Sequence, residues 1–247
     1  MHLEVTMAKS RKQFSEGPLY TISSYILWFF LGNLYFVLFN IPMLFILIVL
    51  STTTSKAITQ EFTPIFIICC FPIAPAATAL LSVMGKLIRE KDISISKDYF
   101  KAYKTNFIQS TFFGALEILI ISILFIDIKF SISNGYPRFL TIALLLIMTF
   151  VFLMGIYVFP IISRFYLTTK DILKLAAHYT IKKFNITLLC FSNFLIAGFI
   201  FFKISTFILV FLSSIICYSI LFYQQKILIE IEDKLKTETE KIPKVQL

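Results

Sequence analysis

Histidine is nearly absent from this chain: there are two, His2 and His178. Neither stands in an HExxH pattern, and no GxSxG or Walker A sequence occurs. The usual zinc-hydrolase, serine-hydrolase and P-loop chemistries therefore lack their residues. The four cysteines, Cys69, Cys70, Cys190 and Cys217, all sit in apolar runs and form no CxxC pair. In such surroundings cysteine is a small hydrophobe, which argues against a metal site and against a structural disulfide. Charge is scarce as well, at 15% of 247 residues. Soluble chains carry about 25%, so a polar shell cannot be built here. No paired acid and base is visible, so the chain reads as a non-enzyme with no cofactor.

Apolar sequence fills the space. Hydrophobic residues make up 58% of the chain, with 29 Phe among them. A helix needs about 20 apolar residues to cross the hydrocarbon core. Six runs meet or approach that length: Ile22–Leu50, Phe62–Val83, Phe107–Ile126, Phe139–Ile162, Ile186–Phe202 and Ile204–Tyr223. The first is too long for one straight span, and Gly32, Asn33, Asn40 and Pro42 offer places to tilt or kink. The last two runs are separated by one charge, Lys203. A single helix through both would be about 57 Å long and would hold that lysine near mid-membrane. Two helices hinged near Lys203 avoid this. Met1–Thr21 contains no apolar core of a signal peptide, so the first helix is expected to be retained as a signal anchor.

The basic residues alternate with the spans. Of 23 Lys and Arg, nineteen fall in the N-terminal tail, the gaps between spans two and three and between four and five, and the C-terminal tail. The other gaps hold four: Lys56, Lys129, Arg138 and Lys203. Positive charge is retained in the cytoplasm. The expectation is an all-α, polytopic protein of the cell membrane, a bundle of six transmembrane helices with cytoplasmic interfacial helices. It divides into a cytoplasmic tail (1–21), the membrane domain (22–223) and a second cytoplasmic tail (224–247).

Both large cytoplasmic gaps have helical spacing. In Ile93–Phe107, Phe100, Tyr103 and Phe107 form one stripe and Lys97, Lys101 and Lys104 another, the pattern of a helix lying among headgroups. In Thr168–Lys183, Lys170, Lys174, His178 and Lys182 recur every four residues. The C-terminal tail begins as an amphipathic continuation, Lys226–Lys236, and then turns polar, which suggests disorder.

Four stretches carry a family resemblance: Phe14-Ser-Glu-Gly-Pro-Leu-Tyr20, Asn33-Leu-Tyr-Phe with Pro42 beyond it, Pro75-Ala-Ala-Thr-Ala-Leu80 followed by Lys86 and Arg89, and the aromatic and basic run Asp98–Phe107. Phe159–Phe165 is a weaker fifth. In this order, over about residues 14–223, they resemble the YesL family of bacterial membrane proteins, a domain of unknown function. Met43–Phe71 is longer than in many members. The resemblance implies an association with carbohydrate ABC importers, whose genes often neighbour the family's, and supplies no catalytic residues.

Glu117 is the acidic residue well inside a span. An intramembrane carboxylate is costly and suggests a proton or cation site; the alternative is a neutral Glu that packs helices. Asn33 and Asn40 share a helix face seven residues apart and either line a polar path with Glu117 or hydrogen-bond a neighbouring helix. Pro72 and Pro75, among small alanines, either expose carbonyls to a ligand or merely kink the helix. The lysine stripes and His178 contact a partner or anionic lipid. Topology accounts for the basic charge, so no nucleic-acid role is expected. Two readings follow: an accessory or regulatory protein that docks ABC transporter subunits through its basic loops, or a small transporter or channel with a path near Glu117.

Overall fold

A run of about 20 apolar residues in lipid must satisfy every backbone group internally, so helix is the outcome for each span. The computed structural model of the protein describes residues 18–52, 63–90, 93–203 and 209–241. All its regular elements there are helices: α1 (Pro18–Phe39), α2 (Ile41–Thr52), α3 (Thr63–Cys70), α4 (Ile73–Glu90), α5 (Ile95–Ser133), α6 (Arg138–Arg164), α7 (Thr169–Lys182), α8 (Phe184–Lys203) and α9 (Leu209–Lys241). Five stretches are long and apolar enough to cross a membrane, within α1, α3–α4, α5, α6 and α9. The pair α7–α8, bent by 95°, makes a sixth. The fold is an all-α, multi-pass membrane bundle.

The breaks have local causes. The first apolar run divides at Asn40, beside Pro42. There the Asn40 amide N–H turns back to the Val37 carbonyl. The Asn40 side-chain amide takes over the Phe36 carbonyl at 2.7 Å. The second run divides at Phe71–Pro72. Pro75 falls in the first turn of α4, where a missing N–H costs nothing. Between α7 and α8, the Thr187 hydroxyl donates to the Thr180 carbonyl at 3.1 Å.

Helix α4 is the centre of the bundle, because its small residues let neighbours approach. Ala76, Ala79 and Leu80 are fully buried. Gly114 of α5 lies so close to Ala74 that a Cβ there would overlap it. Gly32 of α1 lies close against the side-chain ends of Leu80, Met84 and Ser214, which would have to give slightly to admit a Cβ. Large side chains such as Ile22, Phe45, Leu119, Phe139 and Leu146 point outward, as a lipid-facing surface requires.

Ion pairs gather at one end. Lys86 of α4 meets Asp98 of α5 at 2.9 Å. Arg164 at the end of α6 pairs with Glu232 of α9. Lys182 and Lys183 lie 3.8 and 3.9 Å from Glu230. The gap between spans two and three, the gap between four and five, and the start of the C-terminal tail thus share one end of the bundle.

Three expectations need correction. Residues 95–107 are not a separate interfacial helix; they are the first third of the 39-residue α5. Their aromatic stripe packs on α1, with Phe39 stacked on Tyr103 at 4.0 Å and Tyr35 against Tyr99 and Phe100. Two aromatics at the end of α1 thus occupy the face that the pattern assigned to headgroups. Second, the C-terminal tail stays helical to Lys241. Its i,i+4 pairs Lys234–Glu230 and Lys236–Glu232 support that extension. Third, α4 runs on to Glu90, past the expected end of the span at Val83. The tail Met1–Gly17, the loop holding Lys56 and the proposed hinge near Lys203 lie outside the described residues, which resume with α9 at Leu209.

Candidate functional site

Glu117 faces neither bulk lipid nor a sealed core. It lines a cavity of about 360 Å³ to which α1, α4, α5, α6, α8 and α9 all contribute. Phe36, Phe152, Phe159 and Phe194 supply much of its wall, Ala77 and Ile220 more. Ser213 is the other lining residue with a polar side chain besides the thiol of Cys217. Gly155 of α6 lies against the carboxylate, and a Cβ there would overlap Oε1, Oε2 and Cδ. No hydrogen bond or ion pair reaches the Glu117 carboxylate among the described residues, and no Lys, Arg or His lines the cavity.

The site lies deep. Gly155 is nine residues along α6 from Arg164, about 14 Å, and Glu117 is ten residues from Asp127 along α5, about 15 Å. Both distances match half of a hydrocarbon core about 30 Å thick.

The two asparagines do not join it. Asn33 is buried, and its Oδ1 accepts the Ser213 N–H at 3.2 Å, while the Ser214 hydroxyl donates to the Phe29 carbonyl. It fastens α1 to the start of α9. Asn40 serves the break in α1, and its Oδ1 is buried without a partner among the described residues. Phe36, between them, is what α1 presents to the cavity.

Pro160 shapes the α6 wall. Its ring leaves the Ile156 carbonyl without the helical N–H it would otherwise receive. Gln224 of α9 supplies the missing donor, Nε2 to Ile156 O at 3.0 Å, inside the protein. Sequence pattern did not single out Gly155 or Gln224, and Pro160 entered only as part of the Phe159–Phe165 stretch. A glycine and a proline five residues apart in an apolar run were the available signal.

At the charged end, part of the basic charge is paired. Lys182 is drawn to Glu230, and Lys234 bridges Glu230 and the Tyr179 hydroxyl at 2.9 and 3.1 Å. Lys97, Lys101, Lys104, Lys170, Lys174 and His178 remain exposed. None of these five lysines has an ion pair among the described residues. Lys101 borders a small polar cavity with Lys86, Asp98 and Arg164, and Lys174 and His178 border another with Lys234. Among the described residues no group of three His, Cys, Asp or Glu side chains is placed to hold a metal ion.

Residues 29–128 match the family described as a protein of unknown function, DUF624. Asn33–Pro42, Pro75–Arg89 and Asp98–Phe107 fall inside that match; Phe14–Tyr20 and Phe159–Phe165 fall outside it. The chain is also similar to the uncharacterized protein YteU of Bacillus subtilis (strain 168), 33% identical over 97 residues. That alignment covers 38% of this chain and 44% of the relative, so the chain spans less than half of the relative's length. No solved structure matches. The DUF624 match contains Glu117 and Phe36 but neither Gly155 nor Ser213, so it covers only part of the cavity wall.

Proposed function

We propose, from the premise that residues 29–128 belong to the family of unknown function DUF624, that the chain is a non-enzymatic accessory protein of the cell membrane. Both its tails face the cytoplasm, and it docks a partner there. The observation behind this reading is how charge is shared at that end. Asp98, Glu230 and Glu232 are engaged by Lys86, Arg164, Lys182, Lys183, Lys234 and Lys236. Those pairs tie α4 to α5, and α6 and α7 to α9. The lysines left over form two exposed stripes, on the first third of α5 and on α7, beside that ion-paired layer. Basic stripes suit an acidic protein surface, and the family resemblance supplies the partner class: subunits of a carbohydrate ABC importer.

The alternative of a small transporter or channel has less support. A hydrophilic solute needs polar groups along its route, whereas the walls around Glu117 are apolar apart from Ser213, and Asn33 and Asn40 bond elsewhere.

Cross-linking and affinity capture from native membranes test the docking reading. The wild type should recover the same importer subunits reproducibly. Lys97→Glu/Lys101→Glu/Lys104→Glu and Lys170→Glu/Lys174→Glu should each reduce that recovery severalfold. Recovery unchanged by both charge reversals rules the stripes out as the contact. Capture of the protein alone sinks the accessory reading.

A further inference from the structure

The Glu117 cavity combines features that seldom occur together. It lies at mid-membrane depth, its walls are hydrocarbon and aromatic, and it holds one carboxylate. Its volume, about 360 Å³, falls in the range of small-molecule sites. A carboxylate in the membrane interior is costly unless a cation or hydrogen-bond donor compensates it. The protein supplies neither: among the described residues the carboxylate has no partner, and the lining contains no base. Packing is the bland explanation, and the geometry opposes it. A packing Glu spends its oxygens on a neighbouring helix, whereas this one rests on the bare Cα of Gly155 and borders open space.

What the cavity lacks is a single positive charge on an otherwise apolar body. We propose that it is the binding site of a lipophilic monoamine, whose ammonium pairs with Glu117 while its hydrocarbon part fills the space among Phe36, Phe152, Phe159 and Phe194. Phenylalanine rings attract a cation electrostatically, which adds to the carboxylate's pull in a dry site. Apolar walls reward the hydrophobic part of the same molecule. A metal cation fits badly, because one carboxylate and one hydroxyl cannot replace its shell of six or more oxygens. A fatty carboxylate would meet like charge. Gly155 positions the acid: with a side chain there, the flexible end of Glu117 must swing aside.

The test uses the full chain in phosphatidylcholine nanodiscs, with empty nanodiscs subtracted for partition into lipid. The probes are 4-phenylbutylamine and its neutral counterpart 4-phenylbutan-1-ol, titrated by calorimetry. The amine should bind the wild type at least about tenfold more tightly than the alcohol, the share expected of a charge-assisted contact. Glu117→Gln should remove that preference and leave alcohol binding unchanged. Gly155→Ala, which keeps the carboxylate and moves it, should weaken the amine severalfold. It also serves as the second variant if Glu117→Gln folds poorly. Equal affinity for amine and alcohol, or amine binding untouched by either variant, overturns the proposal and leaves an apolar void. No saturable binding of either probe overturns it as well. None of these outcomes depends on the cytoplasmic docking reading.

Discussion

Gln224 of α9 donates to the one carbonyl that Pro160 leaves open in α6: its Nε2 lies 3.0 Å from Ile156 O. The proline opens a backbone acceptor in the wall of the Glu117 cavity, and the glutamine satisfies it inside the protein. A polar side chain buried in a membrane helix and a helix-breaking residue thus explain each other across two spans.

A double-mutant cycle checks the pairing. Gln224→Ala should cost about 1 kcal/mol, the scale of a hydrogen bond between membrane helices. In a Pro160→Ala background residue 160 regains its N–H and Ile156 its partner, so the cost of Gln224→Ala should shrink. Thermal or denaturant unfolding in detergent gives the four values. Equal costs in both backgrounds would mean that Gln224 acts elsewhere.

Gly114 and Ala74 set the closest approach of α4 and α5. Gly114→Ala should destabilise by about 1–3 kcal/mol, because an added methyl meets another Cβ and not a flexible side-chain end. Ala74→Gly should recover most of that loss in the double variant. Unfolding midpoints decide it.

Glu117 is expected to be a stability liability. Replacing a lone, half-buried acid inside a membrane span by a hydrocarbon of similar size removes a desolvation cost. Glu117→Leu should therefore raise the unfolding midpoint or leave it unchanged. A fall of several degrees would indicate that the carboxylate is a structural tie, contrary to the geometry at Gly155.

Topology is open to labelling. Single cysteines at Lys101, Lys174 and Lys234, in a background cleared of the four native ones, should react with an impermeant maleimide only from the cytoplasmic side. A cysteine at Arg138 should react only from the outside. The first three positions lie at the ion-paired end of the bundle, and Arg138 begins α6 at the opposite end from Arg164. Mixed sidedness among the first three would contradict the arrangement.

The ion-paired layer itself should be soft. Arg164→Ala removes the contact to Glu232, a partly exposed pair at the bundle's edge. The expected loss is at most about 1 kcal/mol and should diminish as salt rises. A loss several times larger, or one insensitive to salt, would mean that Arg164 carries the end of α6 by packing.

Much of the fold was legible because lipid leaves little choice. An apolar run of sufficient length must be helical, and the alternation of basic gaps separates the ends, so a span such as that near Phe139–Ile162 follows from the pattern. Proline and asparagine also marked the breaks at Asn40 and at Phe71–Pro72, since each removes or redirects a backbone bond locally. Periodicity could not tell lipid headgroups from another helix as the partner of the Phe100–Tyr103–Phe107 stripe. Both accept aromatic rings, and only the position of Tyr35 and Phe39 decided. The same holds for the site. The sequence by itself determined that Glu117 lies in a membrane span, because hydropathy and depth are properties of a linear run. Tertiary structure alone decided that Asn33 and Asn40 bond elsewhere, that Gly155 lies against the carboxylate, and that four phenylalanines from three helices line its cavity. These are distances between residues far apart in the chain, fixed by how close small side chains let the helices come.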